Sequence, residues 1–220
     1  MSEPLVGNWI TISADSGTGD ATLYATVTST NKGRASRQVV VEGETTHGAT
    51  ATATIIQSAA SEYVEFDSAS YNMTNEASTV TITGKSNSKK LSFRVASPSV
   101  GEEDFLNIPA SFTATKGTSS QSVALSPEVA ELNPDYGETG EYTFSITLTK
   151  KDSSSLQRTC LLAVTSYGGT TKYATITQAG SASSILFNGE VNKQYSGDSS
   201  FTMSIGVTPS GEGWTLGFQS

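Results

Sequence analysis

The stretch ATIIQSA at residues 53–59 returns as ATITQAG at residues 174–180, a shift of 121 residues along the chain. The same shift carries Gly19 onto Gly140 and Arg37 onto Arg158 without a gap. Self-similarity at a fixed spacing marks repeated structural units and has to be recognised before a fold is assigned. The 220 residues therefore hold nearly two copies of one unit.

The phase of the repeat predicts the domain organisation. One full unit runs over 59–180, which leaves the later part of a unit at 1–58 and the early part of another at 181–220. Together these two pieces have the size of an immunoglobulin domain. We expect one continuous sandwich at 59–180, with an insert at 96–136, and one split sandwich built from 1–58 plus 181–220.

Apolar residues alternate with Thr and Ser along most of the chain, a pattern typical of half-buried strands. Charged residues make up only 15% of the sequence, and no segment has helical periodicity. The sequence predicts an all-β protein with two immunoglobulin-like β-sandwich domains. The predicted strands cover 21–29, 37–42, 50–57, 63–66, 78–84, 90–95, 141–149, 158–166, 171–178, 184–187, 201–207 and 213–218.

Half a sandwich left alone would expose strand edges and an apolar face, so the two end segments need partners. Two geometries satisfy this requirement. Either the ends of one chain close on each other, or the C-terminal strands of one molecule complete the N-terminal strands of a second. The predicted junction consists of Trp9, Ile10, Ile12, Trp214, Leu216 and Phe218.

Three motifs carry a resemblance to a known family. They are WITISADSGTGD at 9–20, the spacing from Asn31 to Arg37 before a strand, and the strand ends ATIIQSA and ATITQAG. Together they resemble the BACON domain (Bacteroidetes-associated carbohydrate-binding often N-terminal), a family of immunoglobulin-like sandwiches. The family's first Trp would be Trp214 and its second Trp9, so joining the chain end to its start restores the family order. The middle copy departs from the pattern, because Leu91 stands where the first Trp would be.

The resemblance implies two functional settings. BACON domains occur in secreted or surface glycan-handling proteins of gut Bacteroidetes, and similar domains occur in virion proteins of crAss-like bacteriophages. The N-terminus shows no signal peptide pattern, which favours the phage setting.

Charge and composition exclude several partners. The net charge of −8 and the scattered Lys and Arg residues argue against nucleic acid. No apolar stretch is long enough for a membrane helix. The single cysteine, Cys160, excludes an internal disulfide and is expected in the core.

The sequence is poor in catalytic chemistry. His47, the only histidine, lies in a predicted hairpin turn, so a catalytic triad or a zinc site is not expected. The acidic turns SADSGTGD and NPDYGETGE lack the spacing of a calcium loop. Arg37 and Arg158 open matching strands, where they are expected to hold turns through hydrogen bonds to carbonyl groups. We predict no enzyme activity, no metal and no cofactor.

Two surfaces are candidates for binding. Trp9, Trp214 and Tyr24 would form an aromatic platform for a sugar, unless both Trp side chains fill the core. The insert at 96–136 offers Phe105, Leu106, Ile108 and Phe112 as a partner contact, and the alternative for it is an accessory hairpin packed on the sandwich.

The prediction from the sequence is therefore a structural bacteriophage virion protein. Its most specific form is an auxiliary or decoration protein on the capsid surface, with the major capsid protein or other virion proteins as partners and with homo-oligomers formed by strand exchange. A carbohydrate-binding module for host or mucus glycans, or a tail or fibre component, is the alternative.

Overall fold

The computed structural model describes residues 3–96, 104–125, 128–152, 154, 156–180 and 215, together with the backbone of 185–188 and 206–209. Its regular structure is almost entirely β, with one short helical turn, α1 (Asp135–Glu138). The all-β prediction is confirmed.

The N-terminal segment contains five strands in two groups: β1 (Leu5–Val6), β2 (Ile10–Ile12), β3 (Ala25–Val27), β4 (Arg37–Glu44) and β5 (Thr50–Gln57). The first three form a sheet in the order β1-β2-β3, and β4 pairs with β5 as an antiparallel hairpin. We call these residues, 3–57, the N-terminal unit.

Residues 64–178 form a complete β-sandwich, here called the central sandwich. Its strands are β6 (Val64–Phe66), β7 (Ser70–Met73), β8 (Thr79–Ser86), β9 (Leu91–Ala96), β10 (Leu106–Asn107), β11 (Ser111–Lys116), β12 (Ser119–Ala124), β13 (Tyr142–Lys150), β14 (Arg158–Ser166) and β15 (Thr171–Gln178). One sheet has the order β12-β11-β13-β8-β6, with β10 also on β13, and the other has the order β7-β15-β14-β9. Only the β7–β15 pair within these sheets is parallel.

The core of the central sandwich follows from the alternation in its two longest strands. In β13 the residues Tyr142, Phe144, Ile146 and Leu148 are all buried, while the residues between them are Thr and Ser. Cys160, Leu162 and Val164 of β14 contribute buried side chains from the opposite sheet to the same hydrophobic cluster. Cys160 is a core residue, as predicted.

The insert is part of this core, so the predicted partner contact is wrong. Phe105 and Leu106 are each 1% exposed and Phe112 is 2% exposed, while Ile108 packs partly buried against the same cluster. The described part of the insert adds β10 and the β11–β12 hairpin to the sheet through β13. Its apolar residues therefore pack on the core, which agrees with the alternative prediction of an accessory hairpin packed on the sandwich.

The repeat found in the sequence is also a structural repeat. The bounds of β4 and β5 fall on β14 and β15 at the 121-residue shift, apart from one additional residue at the end of β14. The register is the same in both hairpins, since Arg37 pairs with Gln57 and Arg158 with Gln178. Each hairpin turns at a glycine with positive φ, Gly48 in the first and Gly169 in the second.

The C-terminal segment has two described strands, β16 (Ile185–Asn188) and β17 (Gly206–Pro209), which pair with each other in antiparallel fashion. Of the predicted junction, Trp214, Leu216 and Phe218 lie outside the described residues. The assembly of 1–58 with 181–220 into one sandwich stays a prediction.

Candidate interaction surface

Trp9 belongs to a cluster that closes one end of the N-terminal unit. The ring is buried, and the Arg37 guanidinium lies over it at 4.8 Å from the ring centroid. Arg37 Nε donates to Gln57 Oε1 at 2.7 Å, and its Nη2 donates to the Ser29 carbonyl at 2.6 Å. Trp9 is thus held between the hairpin and the β2–β3 sheet, where its ring face is covered by the cation.

The central sandwich repeats this cluster with a different aromatic residue. Arg158 lies 4.5 Å from the Phe105 ring centroid, its Nε donates to Gln178 Oε1 at 2.9 Å, and its Nη2 donates to the Asp152 carbonyl at 2.8 Å. The prediction that both arginines hold turns through carbonyl groups is confirmed. Phe105 therefore occupies the position that Trp9 has in the N-terminal unit.

Sequence reasoning missed this equivalence, although a signal for it exists. DFLNI at 104–108 follows the pattern of NWITI at 8–12, with an Asx residue, an aromatic residue, an aliphatic residue, a polar residue and Ile in order. This match does not appear at the 121-residue shift, because the long insert changes the spacing between NWITI and DFLNI. As a result Phe105 was read as a surface residue.

A short loop, residues 31–35, joins the N-terminal unit to one end of the central sandwich. The backbone N–H groups of Arg34 and Ala35 donate to the carbonyls of Gly137 and Glu138 at 2.7 and 3.0 Å. A Cβ atom on Gly33 would lie 2.0 Å from the Glu138 carbonyl oxygen. Only glycine permits this close approach of the two backbones.

Asn87 is the buried polar centre of the same contact. Its Nδ2 donates to the carbonyls of Lys32 and Ser61 at 3.1 and 3.0 Å, and its Oδ1 accepts from the Tyr63 N–H at 2.8 Å. Its own carbonyl accepts from Arg34 Nε at 2.5 Å. The side chain thus bonds groups on both sides of the contact, which makes the docking directional.

An ion pair flanks the loop. Lys32 Nζ lies 2.6 Å from Glu141 Oε1, and the Tyr63 hydroxyl donates to Glu141 Oε2 at 2.5 Å. The hydrogen bonds from Lys32 and Tyr63 lower the pKa of Glu141. Burial and the neighbouring Glu141 carboxylate raise the pKa of Tyr63. At neutral pH the carboxylate is therefore charged and the phenol neutral, the states that this contact requires.

The N-terminal unit exposes residues whose counterparts in the central sandwich are core. Leu23 and Val27 are 54% and 50% exposed, whereas Phe144 and Leu148, one repeat further on, are 1% and 0% exposed. Three inward positions of the β4–β5 hairpin are half-buried: Val39, Val41 and Ile55. Their counterparts one repeat further on are fully buried: Cys160, Leu162 and Ile176. We call this set the open core face: Leu23, Ala25, Val27, Val39, Val41 and Ile55. It is the apolar surface that most needs a partner.

The predicted sugar platform is not formed by Trp9, because its ring is buried under Arg37 rather than facing solvent. Ile10 and Ile12 are buried beside it, and Tyr24 is exposed. Trp214 lies outside the described residues.

Other candidate chemistry is sparse within the described part of the chain. His47 is exposed in the turn between β4 and β5, where its Nδ1 lies 3.3 Å from the Thr46 hydroxyl. The described residues contain no group of three or more His, Cys, Asp or Glu side chains placed to hold a metal ion. In the same part of the chain, no helix is long and apolar enough to span a membrane.

Comparisons with known proteins find matches among solved structures at low identity. No protein-family model and no curated protein sequence matches the chain. Among solved structures, the class 5 fimbriae chaperone CfaA is similar at 13% identity and a TM-score of 0.31, covering 57% of this chain. The chain spans 60% of that chaperone's length.

Two other solved structures are similar to this chain at comparably low identity. The major pilin subunit BcpA of Bacillus cereus matches at 9% identity and a TM-score of 0.26, covering 80% of this chain and 56% of the pilin. The PapD-like domain 7 of human CEP192 matches at 12% identity and a TM-score of 0.25, covering 53% of this chain and 84% of the domain. At these TM-scores the similarities carry no argument about this chain.

Proposed function

We propose that this chain is a non-enzymatic structural protein of a bacteriophage virion, and specifically an auxiliary or decoration protein on the capsid surface. The observation that carries the proposal is the open core face, since Leu23 and Val27 are half exposed at positions that are core in the central sandwich. An apolar face of this kind is suited to contact with protein, here between neighbouring copies of the chain assembled on the capsid, rather than with a polar small molecule. The motifs resemble BACON domains, and similar domains occur in virion proteins of crAss-like bacteriophages, which supports the phage setting over that of a glycan-handling surface protein.

The burial of Trp9 favours protein contacts over glycan binding. A sugar ring stacks on an aromatic face that is open to solvent, and Arg37 covers the Trp9 ring. Of the two platform residues that the structure describes, Trp9 is buried and Tyr24 is exposed.

A structural role also agrees with how the polar groups are used. Asn87, Gln178 and the two strand-opening arginines are engaged in hydrogen bonds to carbonyls and amides of the chain itself. Such groups stabilise a scaffold and leave little polar chemistry directed at a substrate. The partner on the capsid would be the major capsid protein or another virion protein.

Immunogold electron microscopy tests the proposal. Antibodies raised against the purified chain would be applied to virions of the phage whose genome carries this sequence, with virions of an unrelated phage as control. Gold over the capsid surface at many sites per particle is the expected result. Gold confined to tails or fibres, or virions without label, would overturn the capsid role, and binding of the chain to a glycan array would then favour adhesion.

A further inference from the structure

We propose that the open core face is covered by the C-terminal segment of a second copy of this chain, which adds β17 to the free side of β3. The occupant is the β16–β17 strand pair of that copy, and the resulting contact links chains head to tail. The inference concerns the self-association of the chain and stands whether or not the virion role holds.

The first argument is that β16 and β17 reproduce a strand pair of the central sandwich. There β6 pairs with β8, with Val64 opposite Ser86 and Phe66 opposite Gly84. In the C-terminal segment Ile185 lies opposite Pro209 and Phe187 opposite Val207. The register is the same after shifts of 121 residues for β16 and 123 for β17, so the segment contains the beginning of another unit.

The second argument identifies the edge that this pair would meet. In the central sandwich β8 pairs with β13, with Phe144 opposite Gly84. The counterpart of β13 in the N-terminal unit is the stretch around β3, which has β2 on one side. No described strand lies on its other side. If β17 pairs with β3 in the register that β8 has with β13, Leu23 lies opposite Val207 and Tyr24 lies opposite Gly206.

The third argument concerns the two ends of the central sandwich. The N-terminal unit docks at the end where β8 finishes and β13 begins, through Asn87, Gly137 and Glu138. The C-terminal segment leaves from Gln178, which lies at the opposite end, near Lys150 and Asn75. The two end segments therefore depart from opposite ends of the same sandwich.

The distance from Gln178 to β3 of the same chain determines whether β17 on β3 comes from the same chain or from a neighbouring copy. Strand β13 alone spans about 27 Å at the usual rise per residue. Ser29, on the far side of β3 from Leu23, bonds to Arg37 next to the docking loop. The Leu23–Val207 pairing therefore lies further away still, towards the other end of the N-terminal unit. Only six residues, 179–184, separate Gln178 from β16. Fully extended, the chain from Gln178 to Ile185 reaches roughly 25 Å, so a chain cannot place its own β16 and β17 on its own β3 in this arrangement.

Cross-linking between single-cysteine variants tests this directly. Leu23→Cys and Val207→Cys would be mixed in denaturant, refolded together and mildly oxidised. Directly opposed residues of an antiparallel pair lie about 4.5–5.5 Å apart between Cα atoms, which suits a disulfide. Cys160 is fully buried in the core and does not compete. We expect a covalent heterodimer as the main product, identified by intact mass.

The matched control replaces Leu23→Cys by Ser119→Cys, an exposed position at the start of edge strand β12. This mixture should give heterodimer only at background. The double variant Leu23→Cys/Val207→Cys should form a ladder of covalent oligomers in a non-reducing gel. A double variant that closes instead into a single covalent monomer, with no heterodimer from the mixed single variants, would overturn the proposal in favour of closure within one chain.

Discussion

At the scale of single residues, an arginine at the start of a strand holds each unit together. Arg37 and Arg158 each join a Gln at the end of the paired strand, a turn carbonyl and the face of an aromatic ring. The aromatic residue differs, Trp9 in one unit and Phe105 in the other. The arginine and glutamine were visible in the sequence because they keep the 121-residue spacing.

Phe105→Ala tests the assignment of the insert to the core. Removing a fully buried aromatic side chain leaves a cavity and costs about 3–5 kcal/mol of unfolding free energy. Urea unfolding of the central sandwich measures the loss. Tyr173→Ala, at an exposed position, is the control and should change stability by less than about 0.5 kcal/mol. An equally small loss of unfolding free energy for both variants would contradict the burial of Phe105.

The residues that sequence reasoning misplaced share a physical cause. Phe105, Leu106 and Phe112 were expected on a contact surface because no second copy of their segment was recognised. Burial is set by which strand lies alongside in three dimensions, here β13, and local pattern does not contain that information. Where the spacing was kept, as in β5 and β15, the strand bounds were predicted to the residue.

At the scale of elements, the loop at 31–35 fixes the N-terminal unit on the central sandwich. Three kinds of contact hold this loop: backbone hydrogen bonds, the buried Asn87 side chain and the Lys32–Glu141 ion pair. The sequence marked Asn31 as part of a motif, but it gave no sign that Asn87 would bond to this loop. That contact depends on tertiary structure.

Gly33→Ala should undock the N-terminal unit. The added methyl group would meet backbone atoms of Glu138 and Gly140 that cannot rotate away. We expect proteolytic cleavage between residues 58 and 63 to accelerate at least about tenfold, which corresponds to about 1.4 kcal/mol in the docking equilibrium. Gly17→Ala is the control, because a Cβ atom there has nothing within 4 Å. Unchanged cleavage of Gly33→Ala would contradict the close docking.

The Glu141 carboxylate should make this contact sensitive to acid. Its pKa is lowered in the folded state by hydrogen bonds from Lys32 and Tyr63, so its contribution is complete above its usual pKa of 4.5 and is lost as the pH falls through the lowered value. Glu141→Gln should therefore destabilise the protein at pH 7, by no more than about 1 kcal/mol for so exposed a pair. The difference from the wild type, measured by thermal unfolding, should shrink as the pH falls below the usual pKa of 4.5 and through the lowered value. A difference that stays constant across this pH range would exclude this role.

At the scale of the whole molecule, the described part of the chain holds one β-sandwich and parts of two further copies of the same unit. The central sandwich is complete, while the N-terminal unit presents an open core face and the C-terminal segment presents the strand pair that matches it. The sequence repeat predicted both halves and left the manner of closure open. The two end segments depart from opposite ends of the central sandwich, which favours the proposed head-to-tail contact.

The most direct test of this account is the solution mass of the full 220-residue chain across a concentration series, by light scattering after size exclusion. The account predicts a mass that rises with concentration through multiples of the 22.9 kDa protomer, because each added chain buries one more open core face. A protein that stays at 22.9 kDa at every concentration, with its N-terminal unit cooperatively folded, would contradict it.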